Sequence, residues 1–301
     1  MQTSLHPSPQ PPPWTTQKQA IATTFGQAAQ QYHQHAQLQY MAAQHLAELI
    51  AERETSLPAG NILELGCGTG FLSQQLIDLF LPDAALDPSL DSSSEPHPVE
   101  QRQLVISDLA VGMLDVCQQQ LTWPQEARSP QFALLDGEGL TQVQLQESSQ
   151  LQQPIALIAA NFVVQWFQDP ITSLKQLLAC LAPQGVLAVS FPSAHSFPEW
   201  QQTCAALELP YTANPLLHFD QVLAALFPLV RDCYFTTEWR TVSYASPRQF
   251  FQGLKKLGAN SHLAPHNLTT GQMRSLWRAW PRTAEGTIEV SYHIVFLLLQ
   301  R

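Results

Sequence analysis

The sequence predicts an α/β domain built on a mostly parallel, seven-stranded sheet whose last strand is antiparallel. Three features carry that prediction. Apolar runs alternate with helical stretches from residue 61 to residue 191, as they do where crossover helices join parallel strands. A glycine turn, Gly66 to Gly70, follows the first apolar run and opens a helix. Near the C-terminus Ile288, Val290, Tyr292 and Ile294 alternate with more polar neighbours, as an antiparallel strand requires.

Size and composition agree with a packed domain. The 301 residues are 45% hydrophobic and 13% charged, which is globular and matches neither a disordered chain nor a coiled coil. The longest apolar runs, such as 295–299, fall far short of the ~20 residues that cross a bilayer, so no membrane span is expected. Residues 1–16 are rich in Pro and Gln, without a basic start or an apolar stretch. They read as an extended tail, and the expected location is cytoplasmic. Cys67, Cys117, Cys180, Cys204 and Cys233 form no CxxC pair, which points to reduced thiols, not to disulfides or a zinc site.

Taken in order, 16–51 is a Gln/Ala-rich helical segment with Phe25, Tyr32, Leu38, Met41, Leu46 and Leu49 at helical spacing. Residues 61–65 form the first strand, 66–70 the glycine turn and 71–80 a helix. The Pro-, Ser- and acid-rich stretch 81–103 is a loop insertion. Strands follow at 104–107, 131–135 and 154–160, with a helix at 110–121. A helix at 171–181 stops before Pro183 and Gly185, and 186–191 is the fifth strand. Helices are then expected at 197–207, 219–227, 247–257 and 270–280, with strands at 233–244 and 287–300.

The net charge of −10 hides two opposite parts. Residues 231–301 carry nine Lys or Arg against four acids, a balance of +5, which leaves −15 for residues 1–230. An acidic chain is a poor duplex nucleic-acid binder, because that affinity comes mainly from neutralising phosphates. The basic segment could steer a small acidic partner, or be a solvated surface.

The turn narrows the ligand. A dinucleotide fingerprint needs Gly or Ala where Phe71 stands, and moving the frame to Gly68 puts Ser73 at its last position. No Lys lies near the turn, so it is not a phosphate loop either. What remains, Glu64-Leu-Gly66-Cys-Gly68-Thr-Gly70, resembles motif I of the class I (Rossmann-like) methyltransferases that bind S-adenosylmethionine. That donor has no phosphate, so Glu64 repels nothing and can attract its ammonium. The resemblance implies that an acid after the second strand takes the ribose hydroxyls. Asp108 fits this role because strand, acid and helix follow in order there; Asp87, in AALDP, is its competitor but is followed by a polar loop and not by a helix. The family also places Asp136 near the adenine amine and Asn161 above the methionine moiety. The alternative is a plain tight turn with helix-capping acids.

The flanks are more specific. Residues 18–39, the run Asn161-Phe-Val-Val-Gln-Trp166, Ser196-Phe-Pro-Glu-Trp200, Leu254-Lys-Lys-Leu-Gly-Ala259, Trp280-Pro-Arg and Val290-Ser-Tyr-His293 resemble the malonyl-acyl carrier protein O-methyltransferases of biotin biosynthesis. The resemblance covers 17–301 apart from the insertion. It implies a helical lid at 17–51, a cofactor-binding half at 61–191 and a substrate- and carrier-binding half with helical cap insertions at 192–301. The implied reaction methylates the free carboxylate of malonyl on acyl carrier protein. A carboxylate is already ionised near neutral pH and needs no general base, so no catalytic base is expected.

In that family Tyr32 would lie in the lid and Trp166 in the acceptor channel, although both could equally be core residues. The family's Arg three residues before the Lys of the L-K motif is replaced here by Gln252. Arg248, one helical turn earlier, is the substitute for gripping the carboxylate, with Lys255 second. Lys255, Lys256, Arg274, Arg278 and Arg282 would form the landing face for the acidic carrier. Two rivals stand: a class I methyltransferase for a small phenolic or quinone-like acceptor, and a non-catalytic binding module. His33 and His35, at alternate helix positions, read as solvated, and Pro265 separates His262 from His266.

Overall fold

The computed structural model describes residues 15–53, 56–81, 102–125, 127–147, 151, 154–259 and 267–301. The tail up to residue 14, the body of the insertion with Asp87, and His262 with His266 lie outside the described residues. Helices α1 (Thr16–His35) and α2 (Gln37–Ala51) lead into β1 (Asn61–Leu65), α3 (Phe71–Phe80), β2 (Leu104–Asp108), α4 (Val111–Gln120) and β3 (Gln131–Leu134). There follow α5 (Gln142–Glu147), β4 (Ile155–Asn161), α6 (Pro170–Cys180) and β5 (Leu181–Pro192). The rest is α7 (Pro198–Ala206), α8 (Phe219–Leu226), β6 (Asp232–Tyr244), α9 (Pro247–Lys256), α10 (Thr270–Ala279) and β7 (Ile288–Gln300).

The seven strands form one sheet in the order β3-β2-β1-β4-β5-β7-β6. The first five pair in parallel, and β7 runs antiparallel to both of its neighbours. The strand order turns back between β1 and β4. The carboxyl ends of those two strands therefore flank a crevice, the usual ligand position of an open α/β sheet. No helix among the described residues is long and apolar enough to cross a membrane.

Both faces of the sheet are covered, which is why β1, β2 and β4 are apolar runs without alternation. One face packs Ile62, Ile106 and Leu157 against α2 and α3 through Leu46, Ile50 and Leu76. The other packs Leu63, Val105 and Ile158 against α6 through Leu174 and Leu177. Asp169 caps α6 by accepting the Thr172 N–H at 3.1 Å.

The larger departures from the sequence expectation are two boundaries and two short elements. Leu181 pairs with Ile155 as the first residue of β5 instead of ending α6, and the ladder resumes at Leu157 and Val186 after a bulge. Arg102 and Gln103 belong to the foot of the sheet and not to the insertion. Arg102 donates to the Pro58 and Leu57 carbonyls at 2.9 and 3.2 Å, and the Gln103 N–H donates to Asn61 Oδ1 at 3.2 Å. The short helix α5 and a 3-10 turn at Val164–Trp166 had no periodic signal of useful length.

A second aromatic core joins α7, α9 and α10 to the antiparallel strands. Phe250 is fully buried there, with ring centroids of Phe251, Tyr244 and Trp280 at 5.1, 5.5 and 5.8 Å. Phe250→Ala is expected to cost about 3–5 kcal/mol. A thermal melt checks it, and an unchanged melting temperature would show that this cluster carries no stability.

Candidate active site

The glycine turn is built by backbone that ordinary residues avoid. Gly66 has φ +64°, and a Cβ there would stand 2.4 Å from Val163 Cγ2, so the turn closes directly on the loop after β4. Gly68 has φ +54° and its hypothetical Cβ meets only Tyr32 Cε1, at 3.7 Å. The Gly68 N–H donates to Asp108 Oδ2 at 2.9 Å and the Ala110 N–H to Oδ1 at 2.8 Å, which tie the end of β2 to the turn. Burial pushes the Asp108 carboxyl up to about 6, against the pull of those backbone donors.

A cavity of about 90 Å³ opens beside this turn. Gly66, Gly68, Asp108, Asp136 and Asn161, from three different strand ends and the turn, all line it. Asn161 is held by donating from Nδ2 to the Gln39 carbonyl at 2.9 Å and accepting from Ser190 Oγ at 2.6 Å. A second cavity, of about 250 Å³ and mainly apolar, lies against the first. The two share Phe25, Tyr32, Phe162 and Trp166 as their common wall. Phe162 stands at φ +58°, a strained conformation for a bulky residue, where the chain turns off β4 between the cavities. Tyr32, expected in a lid, and Trp166, expected in an acceptor channel, both line the two cavities, and Phe25 packs edge-on to Trp166 at 5.1 Å.

Two expected cofactor residues are not on the cavity wall. Gly70 caps α3, where a Cβ would press on Cys117 Sγ and Leu121 Cδ2, both at 3.2 Å; it permits close packing of α3 on α4. Glu64 is buried behind the turn, 1% exposed, because its position on β1 directs it away from the crevice. Its Oε2 has no hydrogen-bond partner. Burial pushes this carboxyl up to about 8, a hydrogen bond with Ser73 pulls it back and the charge of Asp108 adds to the rise.

The expected carboxylate grips are also displaced. Helix α9 turns Phe251 and Leu254 into the larger cavity and buries Phe250, and this phase leaves Arg248 and Lys255 exposed on its outer side. Neither lines either cavity. Among the described residues, no Asp, Glu, Lys, Arg or His lines the larger cavity; its polar groups include Gln39, Gln165, Asn267 and Thr212. Lys256, Arg274, Arg278 and Arg282 are likewise exposed, on α9 and on α10 and the turn after it.

Lys18 had no assigned role in the sequence reading. It is buried on α1, lines the smaller cavity, and meets Asp136 Oδ1 at 3.2 Å and Glu138 Oε2 at 2.5 Å. One signal existed: no other Lys or Arg precedes Arg53.

A family model described as "Methyltransferase domain" matches residues 32–222. The chain is 32% identical over 265 residues to the biotin biosynthesis bifunctional protein BioCD of Bordetella avium, covering 87% of this chain but 49% of that protein, about half its length. It is 26% identical over 280 residues to a malonyl-[acyl-carrier protein] O-methyltransferase of Magnetococcus marinus, covering 92% of this chain and 90% of the relative. The crystal structure of the YcgJ protein from Bacillus subtilis shares the fold, with a TM-score of 0.51 at 10% identity over 86% of this chain and 98% of the other.

Proposed function

The chain belongs to the methyltransferase domain family, and we propose that it takes its methyl group from S-adenosylmethionine and esterifies the free carboxylate of a malonyl thioester on acyl carrier protein. The supporting observation is the larger cavity, which joins the donor cavity through Tyr32 and Trp166 and has no acidic, basic or histidine side chain on its described wall. An acceptor that must lose a proton, such as a phenol, would want a base there, whereas a carboxylate wants none. Burial raises the hydroxyls of Tyr32 and Tyr292 above the ordinary tyrosine range, so neither is suited to accept a proton. The names of the full-length relatives point to the same acceptor.

The residues fit the donor by their chemistry. Asp108 has the lone pairs for ribose hydroxyls and Asp136 for an exocyclic amine, whereas Glu64, protonated behind the turn, brings no charge to the donor near neutral pH. When bound, the donor supplies an electrophilic methyl on a sulfonium. The chain's work is then to align and to dry the site. Phe25, Tyr32, Phe162 and Trp166 exclude water where the two charges cancel, and an apolar setting favours a step in which a cation and an anion become neutral. The amides of Gln39 and Gln165 would hold the acceptor's oxygens without the strong pairing that would blunt the attacking carboxylate.

Labelled donor incubated with malonyl carrier protein tests this. A base-labile methyl ester is expected. A base-stable product would favour a phenolic acceptor, and binding without transfer a non-catalytic module. Helices α9 and α10 line the acceptor cavity with Phe251, Leu254 and Met273 and present Lys255, Lys256, Arg274 and Arg278 outward, with Arg282 just beyond, so the carrier would dock over its mouth. Raising salt from 0.05 to 0.5 M should therefore weaken turnover of the carrier-bound substrate about tenfold, and that of a short malonyl thioester less than about twofold. Equal sensitivity would rule out docking at that face.

A further inference from the structure

We infer that Lys18 is a positioning residue that orients Asp136 toward the nucleobase amine of the donor and thereby makes nucleobase selectivity depend on the seating of helix α1. The inference rests on the donor reading of the smaller cavity.

Lys18 is 5% exposed, unusual for a lysine outside an ion pair. Its ammonium reaches 118 residues along the chain to Asp136 Oδ1 at 3.2 Å, pairs with Glu138 Oε2 at 2.5 Å, and lies 5.2 Å from the centre of the Phe167 ring. Glu138 is itself fixed, because its Oε1 accepts the Gln168 and Asp169 N–H groups at 2.5 and 2.8 Å. The ammonium is therefore anchored to the loop that starts α6 as well as to the one that follows β3.

The detail that matters is which oxygen is used. Asp136 Oδ1 receives both Lys18 Nζ and, at 2.9 Å, the Glu138 N–H. Two donors on one oxygen fix the plane of the carboxylate and reserve Oδ2 for a ligand donor. A purine carrying an exocyclic amine offers such a donor at that end of the cavity, and a 6-oxo purine presents an acceptor that the carboxylate repels. Lys18 also sits on the helix whose Ile21, Ala22, Phe25 and Tyr32 line the same cavity. The ion pair therefore holds down the wall that must close over the donor.

The test compares binding of S-adenosylhomocysteine with that of S-inosylhomocysteine, its 6-oxo analogue, by calorimetry on the full chain. Wild type should prefer the adenine compound. Lys18→Met keeps the aliphatic packing over Phe167 but frees the Asp136 carboxylate. It should weaken S-adenosylhomocysteine about tenfold or more and S-inosylhomocysteine less than about threefold, so that selectivity collapses. Should the methionine variant fail to fold, Lys18→Gln, which retains one neutral donor, should show the same loss in smaller degree. In an Asp136→Asn background, Lys18→Met should cause no further loss of selectivity. Equal weakening of both ligands would reduce Lys18 to a helix anchor and overturn the inference, as would unchanged binding. If wild type binds neither compound, the donor reading of the cavity falls instead, a result distinct from the other two.

Discussion

Gly68→Ala should leave a folded protein that no longer binds the methyl donor. The φ of +54° at residue 68 costs an alanine roughly 1–2 kcal/mol. The space itself is open, since the added Cβ would meet nothing nearer than Tyr32 Cε1 at 3.7 Å. That open space is the gap between the turn and Tyr32 of α1, where the proposed donor would lie. The methyl group would occupy it and press on any ligand brought against the Gly68 backbone. Affinity for S-adenosylhomocysteine should fall at least about 100-fold, or about 2.8 kcal/mol, while the melting temperature drops by only several degrees. Gly66→Ala makes the contrast: its Cβ would stand 2.4 Å from Val163 Cγ2, so that variant loses stability as well as ligand. Unchanged binding by the Gly68 variant would remove the turn from the donor site.

Glu64→Gln should stabilise the ligand-free protein at alkaline pH. The buried carboxyl is pushed up to about 8 in the folded protein from an ordinary 4.5. Between those values the folded chain holds a proton that the unfolded chain has released, so stability falls as pH rises through that window. Above it the wild type bears the whole cost of a buried, half-unpartnered carboxylate, on the order of a few kcal/mol. Asp108 acts in the same direction between its ordinary 3.8 and about 6. Glutamine is neutral throughout and nearly the same shape. Its melting temperature should match wild type near pH 4 and exceed it by roughly 5 °C or more at pH 8.5. Parallel melting curves across that range would mean that Glu64 takes up and releases its proton alike in the folded and unfolded chain, so that burial does not raise it.

The pattern of agreement follows from how far each feature reaches along the chain. Gly66, Gly68, Asp108, Asp136 and Asn161 were legible because each lies at the carboxyl end of a strand whose apolar run marks its own limits. Glu64 and Gly70 share the motif but not the cavity, since neighbours along a strand point to opposite sides and the last glycine serves the packing of α3 on α4. Arg248 was chosen by helical spacing alone. The rotation of α9 is set by Phe250, Phe251 and Leu254 against residues from β6, α7 and α10, and that rotation carries Arg248 outward.

By itself the sequence determined the alternation of strands and helices, the antiparallel last strand and the turn that suits a phosphate-free donor. Those depend on side-chain periodicity and on backbone angles that glycine alone adopts without cost, both of which are local. Only the tertiary structure decided which of the acids faces the smaller cavity, that Lys18 meets Asp136, and that the larger cavity has uncharged walls among its described residues. Those depend on the packing of α1 and α9 over the sheet, where contacts form between residues a hundred or more positions apart and burial selects which side of each helix turns inward.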